Sequence, residues 1–354
     1  GSASVLAAAG AWSGIERVRS CAYQRMQVED AAHAWTIQFD AAEFAMERLG
    51  TIVENAAVTA VLWQLLKSSP MLELRCPARV TGIQVDDAAA TLTLDGGAPL
   101  TARLLVAADG ANSGVRKLIG IGHEQWDYAQ QAVVGVVRTA EPNPGTAWQR
   151  FMDGGPLAFL PLSDGQSSIV WTRPAREAKR LLALESTAFC RELGEACGEW
   201  LGEVQHCGER ASFPLSMRVA ERDIGPRAVL LGDAAHVVHP LAGQGVNLGL
   251  ADAAALVEIV IGQRKRGADI GAWNLLQRYA RWRRSENAVM AGGIHFLRGL
   301  HMVPALAGLR GFGLGLVSRS WMGREAFVRR AAGLAGNAPR LARGEGLESL
   351  VRQA

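Results

Sequence analysis

The chain has 354 residues, 49% of them hydrophobic and 20% charged, and a formal net charge of +3 from 37 Lys and Arg against 34 Asp and Glu. That much apolar material builds a sizeable core and excludes disorder as the main state, and the length fits two domains or one large one. The near balance of charge gives no reason to expect nucleic acid, whose backbone needs clustered positive charge. No run reaches the ~18 consecutive apolar residues of a spanning helix, so a transmembrane anchor is not expected. Five cysteines, Cys21, Cys76, Cys190, Cys197 and Cys207, form no C-x-x-C pair. Neither a disulfide framework nor a zinc ribbon fits that odd count, and a reducing cytosol is the simplest compartment. No basic segment with a following apolar stretch opens the chain. Gly1-Ser2 reads as a cleavage scar, so the biological chain is expected to begin upstream.

In chain order, Ser4 to Trp12 reads as a helix end stopped near Gly10, and Ala22–Val28 and Trp35–Phe39 as a hairpin. Val58 to Leu66 is helical, with Val58, Val61, Leu62, Leu65 and Leu66 on one face, and Pro70 ends it. Short strands follow at Leu72–Arg75, Arg79–Val85, Ala90–Leu94 and Ala102–Ala107, with a turn at Asp95-Gly96-Gly97. Trp126 to Arg173 is strand-like, clearest at Ala132–Val137 and Ser168–Thr172. Ala175 to Leu201 is helical, and Phe213-Pro214-Leu215 is extended. Ala228 to Leu231 has the look of a buried parallel strand. Leu248 to Ile261 and Trp273 to Leu300 are helices, and 303–340 reads as helical, basic and Gly-interrupted. The alternation gives an α/β fold of mixed α+β character, with a chain that crosses twice between two domains.

Two segments share one design. Leu104-Leu105-Val106-Ala107-Ala108-Asp109-Gly110 and Ala228-Val229-Leu230-Leu231-Gly232-Asp233 are apolar strands that end in a glycine and an acid. In open α/β sheets ligands bind beyond the carboxyl ends of strands, where a carboxylate can accept ribose or ribityl hydroxyls. Asn112 or Ser113 can cap the helix after the first. The second leads into His236-Val237-Val238-His239-Pro240-Leu241-Ala242-Gly243-Gln244-Gly245. Gly243 and Gly245 let backbone approach a flat ligand, and Gln244 to Asn247 place amides at a helix N-terminus that favours negative charge. A lone Gly-x-Gly is as often a tight turn; strand, Gly-Asp, Pro, Gly-Gln-Gly and helix in that order is more specific. Asp233, His236 and His239 also have the composition of a metal site, although Pro240 and the glycine loop fit a flavin better.

Gly232 to His236 with His239 to Gly249 resembles the second flavin motif of class A flavoprotein monooxygenases. Ala107 to Ser113 with Arg116 resembles their Asp-Gly motif. Trp126-Asp127-Tyr128, Ala158 to Leu162, Ser168 to Trp171, Phe213-Pro214-Leu215 and Tyr279-Ala280-Arg281 resemble the ubiquinone-biosynthesis hydroxylases, UbiI type first and UbiH and UbiF types next. The resemblance covers essentially the whole chain.

It implies a glutathione-reductase-like FAD-binding domain in parts (1–20 and 50–125, then 218–265). With it come an interwoven β-sheet substrate domain (21–49 and 126–217) and a C-terminal helical region (266–354). It implies FAD, with NAD(P)H as co-substrate. Asp109, Gly110, Arg116, Gly232, Asp233, Pro240, Gly243, Gln244, Gly245, Val246 and Asn247 would bind the cofactor. Phe159, Leu160, Pro161 and Trp171 would lie on strands above the flavin, although Trp148 and Trp171 read more readily as core than as substrate contacts. The family's Gly-x-Gly-x-x-Gly loop is absent from these residues, so the first βαβ unit is expected to be missing and the FAD-binding domain truncated. The implied reaction is NAD(P)H- and O2-dependent hydroxylation of a polyprenylphenol ring through a C4a-hydroperoxyflavin, with no side-chain general base. The implied location is cytoplasmic, peripheral to the inner face of the membrane, with other ubiquinone-biosynthesis proteins and a second copy as compatible partners. Arg298, Arg310, Arg319, Arg324, Arg329 and Arg330 read either as a solvated basic face or as a surface for anionic lipid or a partner protein. Alternatives are a non-catalytic fragment or scaffold subunit, and a flavin halogenase, whose Trp-x-Trp-x-Ile-Pro signature is absent.

Overall fold

The computed structural model describes residues 1–31, 35–198, 200–238, 243–302 and 321–353. The largest element is a nine-stranded sheet in the order β17-β14-β9-β12-β11-β10-β2-β3, with β13 beside β9. Its strands are β2 (Arg25–Asp30), β3 (Trp35–Asp40), β9 (His123–Thr139), β10 (Thr146–Phe151), β11 (Leu157–Pro161), β12 (Ser167–Pro174), β13 (Val204–Cys207), β14 (Ala211–Ala220) and β17 (His236–Val237). Burial alternates along β11 and β12, the period-2 signature of a pleated strand.

One face packs under α5 (Ala175–Ala183) and α6 (Ser186–Cys197), where Leu181, Phe189 and Leu193 meet Val133, Leu157 and Ile169. The strand register places Ile37, Val28, Gln149, Ala158, Val170 and Val134 together on the opposite face. There α9 (Trp321–Ala331) covers the β3 end, and Phe327 stacks on Phe39 with ring centroids 5.5 Å apart.

A second, three-stranded sheet carries the two motif strands. β16 (Ala228–Leu230) lies between β15 (Ile224–Gly225) and β8 (Leu105–Ala107). β16 and β8 are parallel, with Ala228 opposite Leu105 and Leu230 opposite Ala107. A meander of β5 (Val80–Val85), β6 (Ala90–Leu94) and β7 (Leu100–Ala102) packs beneath through Leu92 and Ile83, and β1 (Ser20–Tyr23) pairs with β4 (Gly50–Val53). Helix α7 (Gly245–Lys265) is long and apolar enough to cross a membrane by length and composition. Here it is a packing hub, touching α1 (Ser2–Ala8), α8 (Trp273–Met302), α10 (Leu347–Gln353) and the turn at 232–234.

Several elements differ from expectation. Leu72–Arg75 is irregular and exposed, bracketed by Pro70 and Pro77, with no strand beside it among the described residues to take its backbone hydrogen bonds. Ala102–Ala107 is split between β7 and β8, which belong to different sheets. The helix read over Ala175 to Leu201 breaks at Leu184-Glu185, where extended backbone starts α6 afresh, and it ends at Cys197. Of the apolar face read on α3 (Asn55–Ser68), Val58, Val61 and Leu62 pack on Ile15 of α2 (Trp12–Val18), while Leu65 and Leu66 are exposed. Of the segment 303–340, residues 303–320 lie outside the described residues, as do Arg310 and Arg319.

Candidate functional site

The parallel pairing of β8 and β16 sets their carboxyl ends side by side, and the Leu231 amide donates to the Ala107 carbonyl at 2.9 Å. Beyond β8, Asp109 shapes its own loop. Its carboxylate accepts from the Ser113 hydroxyl and from the Val115 amide at 3.0 Å. Ser113 caps α4 (Gly114–Leu118), its Oγ accepting from the Arg116 amide at 2.9 Å. Gly110 has φ +80 and open space where a Cβ would sit.

Arg116 does not reach toward solvent: it is 2% exposed. Its guanidinium donates to the Ala234 carbonyl at 2.7 Å and to the Ala111 carbonyl at 3.2 Å. It therefore joins the two motif turns from beneath, and the expectation of direct cofactor contact by this side chain is revised.

The turn beyond β16 begins at Gly232, whose φ of +54 suits glycine. Gly249 of α7 lies against it; a Cβ on Gly249 would come 3.2 Å from the Gly232 Cα. That closeness brings Asp252, one helical turn further on, under the turn. Oδ2 of Asp252 accepts from the Gly232 amide at 3.1 Å and bonds His236 Nε2 at 2.7 Å. Oδ1 accepts from Arg283 Nε at 2.6 Å and from Asn287 Nδ2 at 3.3 Å. Burial alone would raise the Asp252 carboxyl, but His236 and Arg283 hold it below the usual aspartate value. Nearby Asp223 is raised by burial. Asp233, by contrast, is exposed and has no hydrogen-bond partner among the described residues. Its carboxylate faces outward where the Asp252 carboxylate faces in.

Helix α7 opens at this same turn. Its N-terminus carries no side-chain cap among the described residues, and the first amides of a helix have no partner within it, which makes a site suited to negative charge. Gly243 has φ +61, and a Cβ at either Gly243 or Gly245 would meet nothing within 4 Å among the described residues. Val246 stands exposed beside them. The side chains of Gln244 and Asn247 are engaged within the protein. Gln244 Nε2 donates to the Ala331 carbonyl at 3.4 Å, Asn247 Nδ2 to Gln244 Oε1 at 3.2 Å, and the Ser2 hydroxyl to Asn247 Oδ1 at 2.7 Å. His239 and Pro240 lie outside the described residues. An uncapped helix start, an open glycine-lined approach and a free carboxylate fit a ligand with a flat anionic edge and a hydroxylated chain, which is the chemistry of FAD.

The residues expected above the flavin divide by strand alternation. Phe159 and Trp171 point into the core beneath α5 and α6, edge-on to Trp200 and Phe189 respectively. Pro161 is buried with its alternate neighbour Phe159, and Trp148 stacks on Trp200. Phe159, Pro161 and Trp171 therefore leave the substrate set. Leu160 has the opposite orientation and shares its face with the half-buried Ala158, Val134 and Val170.

Sequence reasoning missed Asp252, Arg283 and the structural part of His236. An acid inside the apolar stretch Leu250-Ala251-Asp252-Ala253-Ala254 was the available signal.

A family described as an FAD binding domain matches residues 5–288. The chain is 35% identical over 336 residues to the 3-demethoxyubiquinol 3-hydroxylase of Escherichia coli strain K12, covering 94% of this chain and 85% of that one. It is 36% identical over 324 residues to the ubiquinone hydroxylase UbiL of Rhodospirillum rubrum, covering 90% and 75%. Among solved structures it is similar to p-nitrophenol 4-monooxygenase PnpA from Pseudomonas putida, with TM-score 0.75, 20% identity and coverage of 95% and 86%. It is also similar to Klebsiella pneumoniae HpxO complexed with FAD and uric acid, with TM-score 0.64, 18% identity and coverage of 99% and 84%. At those identities the two structures speak for the fold.

Proposed function

The chain belongs to the FAD binding domain family and is an FAD-dependent aromatic hydroxylase, and we propose that it hydroxylates the ring of a polyprenylphenol intermediate in ubiquinone biosynthesis, with NAD(P)H and O2 as co-substrates. The observation that carries this reading is the parallel pairing of β8 and β16, which delivers the Asp109 and Asp233 turns together beside the start of α7.

The chemistry supplied by FAD, when bound, is transfer of electrons from NAD(P)H to O2 and of one oxygen atom to the ring. The chain's own residues bind and orient. Asp233 accepts hydrogen bonds from the ligand's hydroxylated chain. The first amides of α7, at Gly245 to Asn247, would donate to the polar edge of the bound ring. Gly232, Gly243 and Gly245 let backbone lie close to the ring plane, with Pro240 between them in sequence. Asp109 and Gly110 shape the neighbouring loop, and Arg116 locks it to the Gly232 turn. Ala158, Leu160, Val134 and Val170 offer an apolar face for the phenol ring and keep water from it.

In this reading the sheet of 21–49 and 126–217 is the substrate domain, and the pieces 1–20, 50–125 and 218–265 form the FAD domain, with 266–354 beside them. A prenylated substrate brings with it peripheral contact with a membrane.

The test supplies purified protein with FAD, NADH or NADPH, a short-chain prenylphenol and 18O2. The expected product carries one 18O atom on the ring. Consumption of NAD(P)H with no labelled phenol, or no consumption at all, sinks the assignment, and the second outcome favours a non-catalytic scaffold subunit.

A further inference from the structure

We propose that Asp252 is a positioning residue for the cofactor, one that holds the Gly232 amide inward so that the next residue, Asp233, presents its carboxylate outward to vicinal hydroxyls. The inference rests on the FAD reading above. Its basis is the geometry beneath the turn. Gly232 N–H is drawn to Oδ2 of Asp252, and Asp233 follows immediately, exposed and without a protein partner among the described residues. The carboxylate that does this is 1% exposed and holds a single position because three elements grip it: β17 through His236, and α7 and α8 through its own backbone and Arg283 with Asn287. Arg283 is itself oriented, its Nη2 donating to Asn287 Oδ1 at 2.9 Å.

A buried Asp–Arg pair is a weak device for stability, because desolvating both charges offsets their attraction. A buried carboxylate with four donors is, however, a rigid one, and rigidity is what a binding turn needs. The close pairing of Gly232 with Gly249 has the same sense: a Cβ on Gly249 would come 3.2 Å from the Gly232 Cα, and its absence lets α7 sit close enough for Asp252 to reach the turn.

His236 fits the same design. Its Nε2–H faces the carboxylate, while Nδ1 is buried with no hydrogen-bond partner among the described residues. The ring thus serves through one nitrogen, and glutamine, whose Nε2–H lies at a similar reach, is its conservative replacement.

The experiment compares the parent with Asp252→Asn, His236→Gln and His236→Leu. It has two readouts: FAD dissociation constant by flavin fluorescence, and amide hydrogen exchange of the 228–238 segment in FAD-free protein. In Asp252→Asn one carboxylate oxygen becomes an NH2 that opposes one pair of donors. FAD affinity is expected to fall about tenfold or more, with faster exchange in 228–238 and unchanged exchange in β11 and β12. His236→Leu is expected to behave alike and His236→Gln to recover most of the loss; this pair decides the matter if Asp252→Asn fails to fold. Asp252→Asn or His236→Leu with parental affinity and parental exchange overturns the proposal. A parent that binds no FAD overturns the FAD reading itself, a different result from a parent that binds and a variant that binds equally.

Discussion

Arg116 and Ala234 lie 118 positions apart, yet the guanidinium of one donates to the carbonyl of the other at 2.7 Å. The bond is buried and crosses between the two motif turns, so it fixes their relative position as well as contributing stability. Arg116→Met fills the space but takes the Arg116 donor from the Ala234 carbonyl and leaves the Ala111 carbonyl only its 3.4 Å bond from Arg218. Loss of two charge-assisted bonds in a buried setting is expected to cost about 3 kcal/mol, read by urea unfolding. A variant of parental stability would show that the turns are held by other contacts.

Asp233 offers the opposite case. It is exposed and has no partner among the described residues, so Asp233→Ala is expected to leave the unfolding midpoint within about 0.5 kcal/mol of the parent. FAD affinity is expected to fall by about tenfold or more. A parallel fall in stability would assign Asp233 to the fold rather than to the ligand.

Gly249 tests the close approach. Gly249→Ala places a methyl 3.2 Å from the Gly232 Cα, where no flexible side chain can yield. Overpacking of about 1–3 kcal/mol is expected in a thermal or urea melt. A neutral result would mean that α7 has room to move.

Phe159 and Leu160 are neighbours with opposite assignments. Phe159→Ala removes a 1%-exposed ring from the core under α5 and α6 and is expected to cost about 3–5 kcal/mol. Leu160→Ala, on the half-buried face, is expected to cost less and to raise KM for the phenol. Equal stability losses, with substrate kinetics unchanged, would remove Leu160 from the substrate face.

Acid acts on an ion pair in a different part of the molecule. The Asp269 carboxyl is held at about 2, below its ordinary 3.8, by the hydrogen bond from Arg227 and then the Gly271 amide. A carboxyl that is more acidic in the folded chain stabilises the fold while ionised. That contribution is complete above 3.8 and disappears as pH falls toward about 2. The gap in melting temperature between the parent and Arg227→Met is therefore expected to narrow as pH is lowered through that window. A constant gap would show that Asp269 carries none of it.

The local structure of the candidate site was largely legible where its residues are consecutive. Strand, Gly-Asp and the glycine-flanked helix start at 228–249 form one local run, and each step of it has a local physical cause. The Asp109 loop was legible for the same reason. Arg116 was found but misdirected, because its partner Ala234 is remote in sequence. Asp252 was invisible for a like reason: its charge gains meaning only from Arg283, 31 positions away on another helix. Alternation showed that Phe159 and Leu160 point oppositely, but which face α5 and α6 would cover depends on how those helices fold back. Leu72–Arg75 had the composition of a strand and found no neighbour to pair with.

The pairing of β8 with β16 also governs the order of events in folding. Leu105 and Ala228 are partners 123 residues apart by subtraction, and most of the large sheet is encoded between them. Contacts of such long range form late, after much loop entropy has been lost. The Asp109 and Asp233 turns thus meet only once residues beyond 234 have emerged and the intervening sheet has closed, so this part of the site is a late product of folding.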